Sequence, residues 1–266
     1  MPAGYDASMP LPLVLDLHGY MEGAEVHRAH TGLEAFAGEE SFVVLTPQGV
    51  GEIPYWNVLE QDGLVDDVKL ISDLIDTTAA ALCIDESRVY ATGLSMGAFM
   101  TSLIGCRLSE RVAAIAPVAG LRYPDDCAAS RPMPVIAFHG TADEIVTYDG
   151  ETGAGVDQLS FNDETLTAFD GLEMQAIPDA LAGWAGAEGC ADAPVEEAVS
   201  ESVTLVRYDG CEGGSTVELY AAEGAGHSWP GSEFSAAIEG IVGPTTFEID
   251  ANELMGPSSL AHPLPS

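Results

Sequence analysis

Gly93-Leu94-Ser95-Met96-Gly97 sets one hydroxyl between two glycines, after the strand-like "RVYAT" and before an apolar run at helical spacing. A turn that tight from strand to helix forces the serine into a strained backbone conformation and projects its Oγ from the sheet edge. Glycines two residues to either side leave room for the chain to pass. The helix that follows aims its first N–H groups, Met96 among them, at any negative charge that develops beside the serine. Many chains carry G-x-S-x-G by chance. The strand–turn–helix context makes Ser95 a candidate nucleophile.

A serine hydroxyl attacks only with a base beside it, and the base needs a carboxylate to orient it. On this kind of sheet the chain order is serine, acid, histidine. Three histidines follow Ser95: His139, His227 and His262. His139 ends a predicted strand and reads as structural, and His262 lies in a Pro-rich tail that cannot hold a base steadily. His227, in the glycine-rich "EGAGHSWPG" after the strand "TVELYAA", can reach back over Ser95 and is the candidate base. Asp143 in "FHGTADEIV" directly follows the strand "PVIAF" and is the candidate acid, with Glu144 adjoining it and Asp149 as the substitute candidate. A second oxyanion donor is expected after an early strand. In "LDLHGY" the chain turns at His18-Gly19, so the backbone N–H of Tyr20 points at the cleft and His18 becomes a candidate substrate contact. The competing reading makes His18-Gly19 only a tight turn.

The elements that must hold these groups alternate between short apolar strands and helical stripes, as in a mostly parallel sheet covered by helices. Strands are predicted at Leu11 to His18, Ser41 to Pro47, Arg88 to Gly93, Val112 to Gly120 and Pro134 to Gly140, then at "VTLVRY" and "TVELYAA". Helices are predicted over Leu64 to Cys83 and Met96 to Leu108. Asp149 to Pro178 is too long for an ordinary connection and suggests a lid or cleft rim. Gly256-Pro257 is expected to end the last helix, leaving 256–266 as a tail. The whole of 1–266 is read as one catalytic domain.

Charge limits the partners. Eight Lys and Arg face 43 Asp and Glu, for a net charge of −35, and Lys69 is the only lysine. Such a surface repels nucleic acid and anionic membrane, and no apolar run reaches the ~20 residues of a membrane span. Acidic residues spread along the whole chain suggest adaptation to salt. His27 and His30 could share a metal from one helix face; their polar neighbours favour a solvated pair instead. Five cysteines without CxxC spacing suggest two disulfides in an oxidising compartment, against buried free thiols as the alternative. Cys106–Cys127 would tie the elbow helix to the loop after "VAAIAPVAG". Cys190–Cys211 would close a loop leading into "TVELYAA", with Cys83 left free.

"LVLDLHGY", "YWN", "RVYATGLSMGAFM", "AAIAPVAG", "AFHGTADEIVTYDG" and "GHSWPG" together resemble the polyhydroxybutyrate depolymerase-like esterases, relatives of feruloyl and acetylxylan esterases. The resemblance runs from "PAGYD" to about Met255. It implies an α/β-hydrolase fold with Ser95, Asp143 and His227 as nucleophile, acid and base, and with the N–H groups of Tyr20 and Met96 as oxyanion donors. It implies an ester substrate and no metal or organic cofactor. Trp56 and Trp229 stand where such enzymes place aromatic walls beside the cleft, although a large tryptophan suits a core as well. Members are commonly exported; no leader opens this chain, so the expected place is secreted or extracytoplasmic, with any signal removed. Only Met1 to Pro10 precede the first strand, so the opening strands of that fold are expected to be absent. "SFVVLTP" then becomes a sheet edge, in a monomer or in a dimer paired through that edge.

Overall fold

The computed structural model describes residues 5–260 and 263–264. Eight strands form one sheet: β1 Leu11–Leu17, β2 Val43–Leu45, β3 Ile84–Leu94, β4 Ala114–Val118, β5 Val135–Gly140, β6 Val195–Ala198, β7 Val203–Tyr208 and β8 Val217–Ala222. Their order is β2-β1-β3-β4-β5-β8-β7-β6, parallel from β2 to β8 and antiparallel for the last two pairings. This is a mostly parallel α/β sheet, as expected. Among the described residues no strand precedes β1, and β2 is the sheet edge.

The parallel strands are continuous apolar runs because helices cover both faces. All seven residues of β1 are buried, and they alternate between the two faces. Leu13, Leu15 and Leu17 join a core with α3 (Asp67–Ala81), α4 (Met96–Arg107) and α6 (Ile177–Ala187). Val14 faces the opposite side with α2 (Leu33–Glu40). Asp16, the one charged residue of β1, points to that side too, toward α1 (Gly23–Thr31). Helix α3 is capped by Asp66, whose side chain accepts from the Lys69 N–H.

Several expectations are corrected. The antiparallel β6 was not expected: "VEEA" is exposed at all four positions and lacks an apolar stripe. His27 and His30 are not solvated but 0% and 4% exposed, because carboxylates on α1's own approach and on β1 turn toward them. Asp149 to Pro178 contains a short 3₁₀ turn at Ala154–Gln158, the helix α5 (Asp163–Phe169) and the start of α6. The last helix, α9 (Ala251–Leu260), runs past Gly256. A Cβ on Gly256 would lie 2.7 Å from the Phe36 ring, so the glycine lets the helix pack closely there and does not end it. Leu264 donates its N–H to Ser87 O at 2.7 Å, placing this part of the tail at β3 and not at the β2 edge. His262 lies outside the described residues.

Both expected disulfides are present, Cys106–Cys127 and Cys190–Cys211, and Cys83 is free and half-buried. Among the described residues no helix is long and apolar enough to cross a membrane.

Candidate active site

The chain leaves β1 for one side of the sheet, at β2, and returns to the other side at β3. The crevice beyond the carboxyl ends of β1 and β3 is therefore the topological switch point, where open α/β sheets bind ligands. Ser95 sits there, between β3 and α4, with φ 58° and ψ −119°. A β-carbon in that backbone region costs on the order of 1–3 kcal/mol. Neighbouring backbone holds it in place: Ser95 N–H donates to Val118 O at 2.9 Å, and Ser95 O accepts from Ala98 and Phe99. The flanking glycines are required by contact. A Cβ on Gly97 would lie 2.0 Å from Leu17 O, and one on Gly93 would lie 2.6 Å from the same oxygen. The elbow can press on β1 only where both side chains are missing.

Asp143, on the loop after β5, is 4% exposed and fully engaged. Its Oδ1 accepts from the N–H groups of Ile145 and Val146 at 2.8 and 2.9 Å, and its Oδ2 meets His227 Nδ1 at 2.7 Å. Burial pushes its pKa up. The His227 charge and hydrogen bond outweigh that and hold it below the ordinary carboxylate range. His227 is fixed by its backbone N–H, which donates to Val242 O at 2.6 Å, and its side chain and Ser95 line the same cavity. His139 ends β5 behind this pair. Its Nε2 donates to Val146 O at 2.8 Å and stands 3.5 Å from Asp143 Oδ2. Burial holds its pKa down.

Gly19 lies against the elbow: a Cβ there would be 3.6 Å from Ser95 Cβ. Tyr20 follows at the mouth, lining the cavities on both sides of Ser95. Met96 N–H, at the first turn of α4, is one of the donors a helix leaves unpaired. His18 is not a cleft residue. It is 0% exposed, donates from Nδ1 to Gly19 O at 2.8 Å and accepts at Nε2 from Gly49 N–H at 2.9 Å. Burial lowers its pKa, which suits that single-donor tautomer. Trp56 and Trp229 are likewise not walls of the cleft but core, 0% and 1% exposed. Their indole N–H groups are used inside, on His18 O at 2.9 Å and on Asn252 Oδ1 at 3.2 Å. A buried indole needs such an acceptor, and these loops provide one.

Phe99 apart, the cleft walls come from residues that carried no motif. On one side of Ser95 a cavity of about 420 Å³ is lined by Val26, Phe234, Ile238, Ile241 and Val242. On the other, a cavity of about 310 Å³ is lined by Phe99, Phe161, Phe169, Leu172 and Met174. Tyr20 stands between them, stacked on Phe161 at 5.6 Å and edge-on to Phe169 at 5.1 Å, with its hydroxyl donating to Ser160 O. The 149–178 segment thus forms one wall of the second cavity. Among the described residues no three His, Cys, Asp or Glu side chains converge as a metal site requires.

This sheet order, with a serine on the turn after β3 at the switch point, defines an α/β-hydrolase fold. The family model for esterase PHB depolymerase matches residues 1–167, well over half of the chain, and the chain belongs to that family. Feruloyl esterase B of Piromyces equi is 28% identical over 236 residues, 85% of this chain and 41% of its own length. The bifunctional acetylxylan esterase/xylanase of Neocallimastix patriciarum is 32% identical over 142 residues, 53% of this chain and 21% of its own length. The chain therefore spans less than half of either relative. Among solved structures, the acetyl xylan esterase from Aspergillus awamori aligns over 90% of both chains with a TM-score of 0.59 at 16% identity, a likeness of fold.

Proposed function

We propose that the protein hydrolyses carboxylic esters through an acyl-enzyme on Ser95. The observation that carries this reading is the strained elbow serine sharing one cavity with a histidine whose Nδ1 is locked on a buried carboxylate. Ser95 Oγ attacks the ester carbonyl while His227 Nε2 takes its proton. Asp143 fixes the tautomer and stabilises the imidazolium that forms. The oxyanion is held by the N–H groups of Tyr20 and Met96. His227 returns the proton to the leaving alcohol, then activates the water that frees the acid.

The two cavities favour a substrate with apolar groups on both sides of the ester bond, a phenolic ester or a hydroxyalkanoate oligomer, over a small acetyl group on a sugar. The disulfides suit an oxidising compartment outside the cytoplasm. A fluorophosphonate probe should label Ser95 in the native chain and leave Ser95→Ala unmarked. A panel of 4-nitrophenyl butyrate, methyl ferulate, hydroxybutyrate trimer and acetylxylan tests the substrate. A clear preference for acetylxylan would overturn the two-sided apolar reading.

A further inference from the structure

Between the oxyanion loop and the loop that carries His227 runs an unbroken chain of buried and half-buried polar contacts. Gly19 N–H donates to Glu22 Oε2 at 2.9 Å. Glu22 Oε1 meets His30 Nδ1 at 2.5 Å, and His30 Nε2 meets Ser235 Oγ at 2.6 Å. Ser235 Oγ accepts the backbone N–H of Trp229 at 3.0 Å, two residues after His227. The directions agree along its length. With Trp229 N–H donating to Ser235 Oγ, the Ser235 hydroxyl proton is free to donate to His30 Nε2, His30 Nδ1–H donates to Glu22, and both ends run into one carboxylate.

That carboxylate is held from behind. His27 Nδ1 meets Glu22 Oε2 at 2.9 Å, and His27 Nε2 meets Asp16 Oδ1 at 2.9 Å. The buried Asp16 and the half-buried Glu22, with a histidine between them, keep the ring doubly protonated. Burial works against the charge, but Asp16 and Glu22 raise the His27 pKa to about 10. The same ring takes the edge of Trp229 at 6.1 Å. The Ser232 hydroxyl adds a parallel tie to His30 O at 2.5 Å.

The geometry points to Glu22, His30 and Ser235 as a positioning relay that sets the oxyanion loop and the His227 loop at a fixed separation across Ser95. The inference rests on the esterase reading above and adds residues to it. Glu22 and His30 border the 420 Å³ cavity, yet both Glu22 oxygens and both His30 nitrogens are already engaged. Four hydrogen bonds tie the two side chains to each other and to their protein neighbours, which suits holding the loops more than binding a substrate. Their effect is on where Tyr20 N–H and His227 Nε2 stand when the tetrahedral intermediate forms.

The test is steady-state hydrolysis of 4-nitrophenyl butyrate by the full chain and by Ser235→Ala, Glu22→Gln and the double variant, with melting temperatures measured alongside. Glu22→Gln puts an amide N–H₂ against His30 Nδ1–H and forces the relay to reverse. Each single variant should lose about tenfold or more in kcat, the scale expected of a sub-ångström misplacement of catalytic groups, with KM within about twofold. The double variant should be no worse than the worse single, since both break one relay. If Glu22→Gln does not fold, Ser235→Ala, which deletes one oxygen, decides alone. Singles within about twofold of wild-type kcat, a rise confined to KM, or losses that multiply in the double variant would each overturn the relay. Ser95→Ala run beside them separates the two ideas: activity surviving in Ser95→Ala refutes the esterase reading, whereas a dead Ser95→Ala beside unimpaired relay variants refutes only the relay.

Discussion

Ser95 is held in a backbone region that side chains avoid, and Gly97 is the residue that lets its neighbours hold it there. Ser95→Ala should keep the fold and lose on the order of 10⁶ in kcat, measured on an activated ester; a tenth of wild-type turnover remaining would end the acyl-enzyme mechanism. Gly97→Ala is the opposite case. Its methyl meets Leu17 O at 2.0 Å, a backbone atom that cannot move aside, so the variant should lose more than about 3 kcal/mol of stability in urea unfolding. The proposed roles of Ser95, Asp143 and His227 were legible as candidates in the sequence, because chain order and loop chemistry leave few alternatives. Those of Glu22, His27 and Asp16 were not. Nothing local says that a carboxylate in "YMEGAEVHRAH" turns inward, since its partner on β1 becomes a neighbour only through the fold. For Trp56 and Trp229 the core reading holds over the wall reading, because burial, and not nearness to a motif, decides which way a side chain faces.

At the scale of elements, β1, β5, β8 and α4 were legible to within a residue at each end, whereas β3 starts four residues before its expected bound and β4 and α3 are shorter than expected at both ends. What escaped were elements without a stripe. β6 is exposed throughout, and α1 hides charge where apolar residues are the usual signal. The Cys106–Cys127 bond joins α4, the helix that starts at Ser95, to the loop beyond β4. A Cys106→Ser/Cys127→Ser double variant should lose about 3 kcal/mol in denaturant unfolding, chiefly by freeing the unfolded chain. Its kcat should fall less than its stability does, because the elbow's own hydrogen bonds to β4 remain. An equal loss of kcat would mean that the bond, and not the backbone, positions the serine.

The whole molecule carries its charge almost unopposed. Six of its eight cations, Arg28, Lys69, Arg88, Arg107, Arg111 and Arg207, pair with carboxylates among the described residues, which leaves most of the 43 acids facing solvent and each other. The screening length falls from ~10 Å at 0.1 M salt to ~3 Å at 1 M, so the melting temperature should climb across that range in sodium chloride. A flat response would show that the repulsion is already offset. The pH response has two limbs. Asp143 and Glu22 are held below the usual carboxylate range, so their stabilisation is complete above about pH 4 and is lost as pH falls through the depressed values. His27 is raised to about 10, so its stabilisation is complete below about pH 6.5 and is lost as pH rises through 10. Thermal unfolding across pH should therefore decline on the alkaline side, and His27→Gln should flatten that decline. The two rims of the sheet differ in kind. β6 presents Glu196 and Glu197, exposed and like-charged, whereas β2 carries no charge: Val43 is buried and Val44 and Leu45 are half-buried. Two copies that met rim to rim through β2 would leave only acidic rims facing outward. Sedimentation in molar salt should then show nothing larger than a dimer, and a ladder of larger species would show that the acidic rim does not act as a terminator.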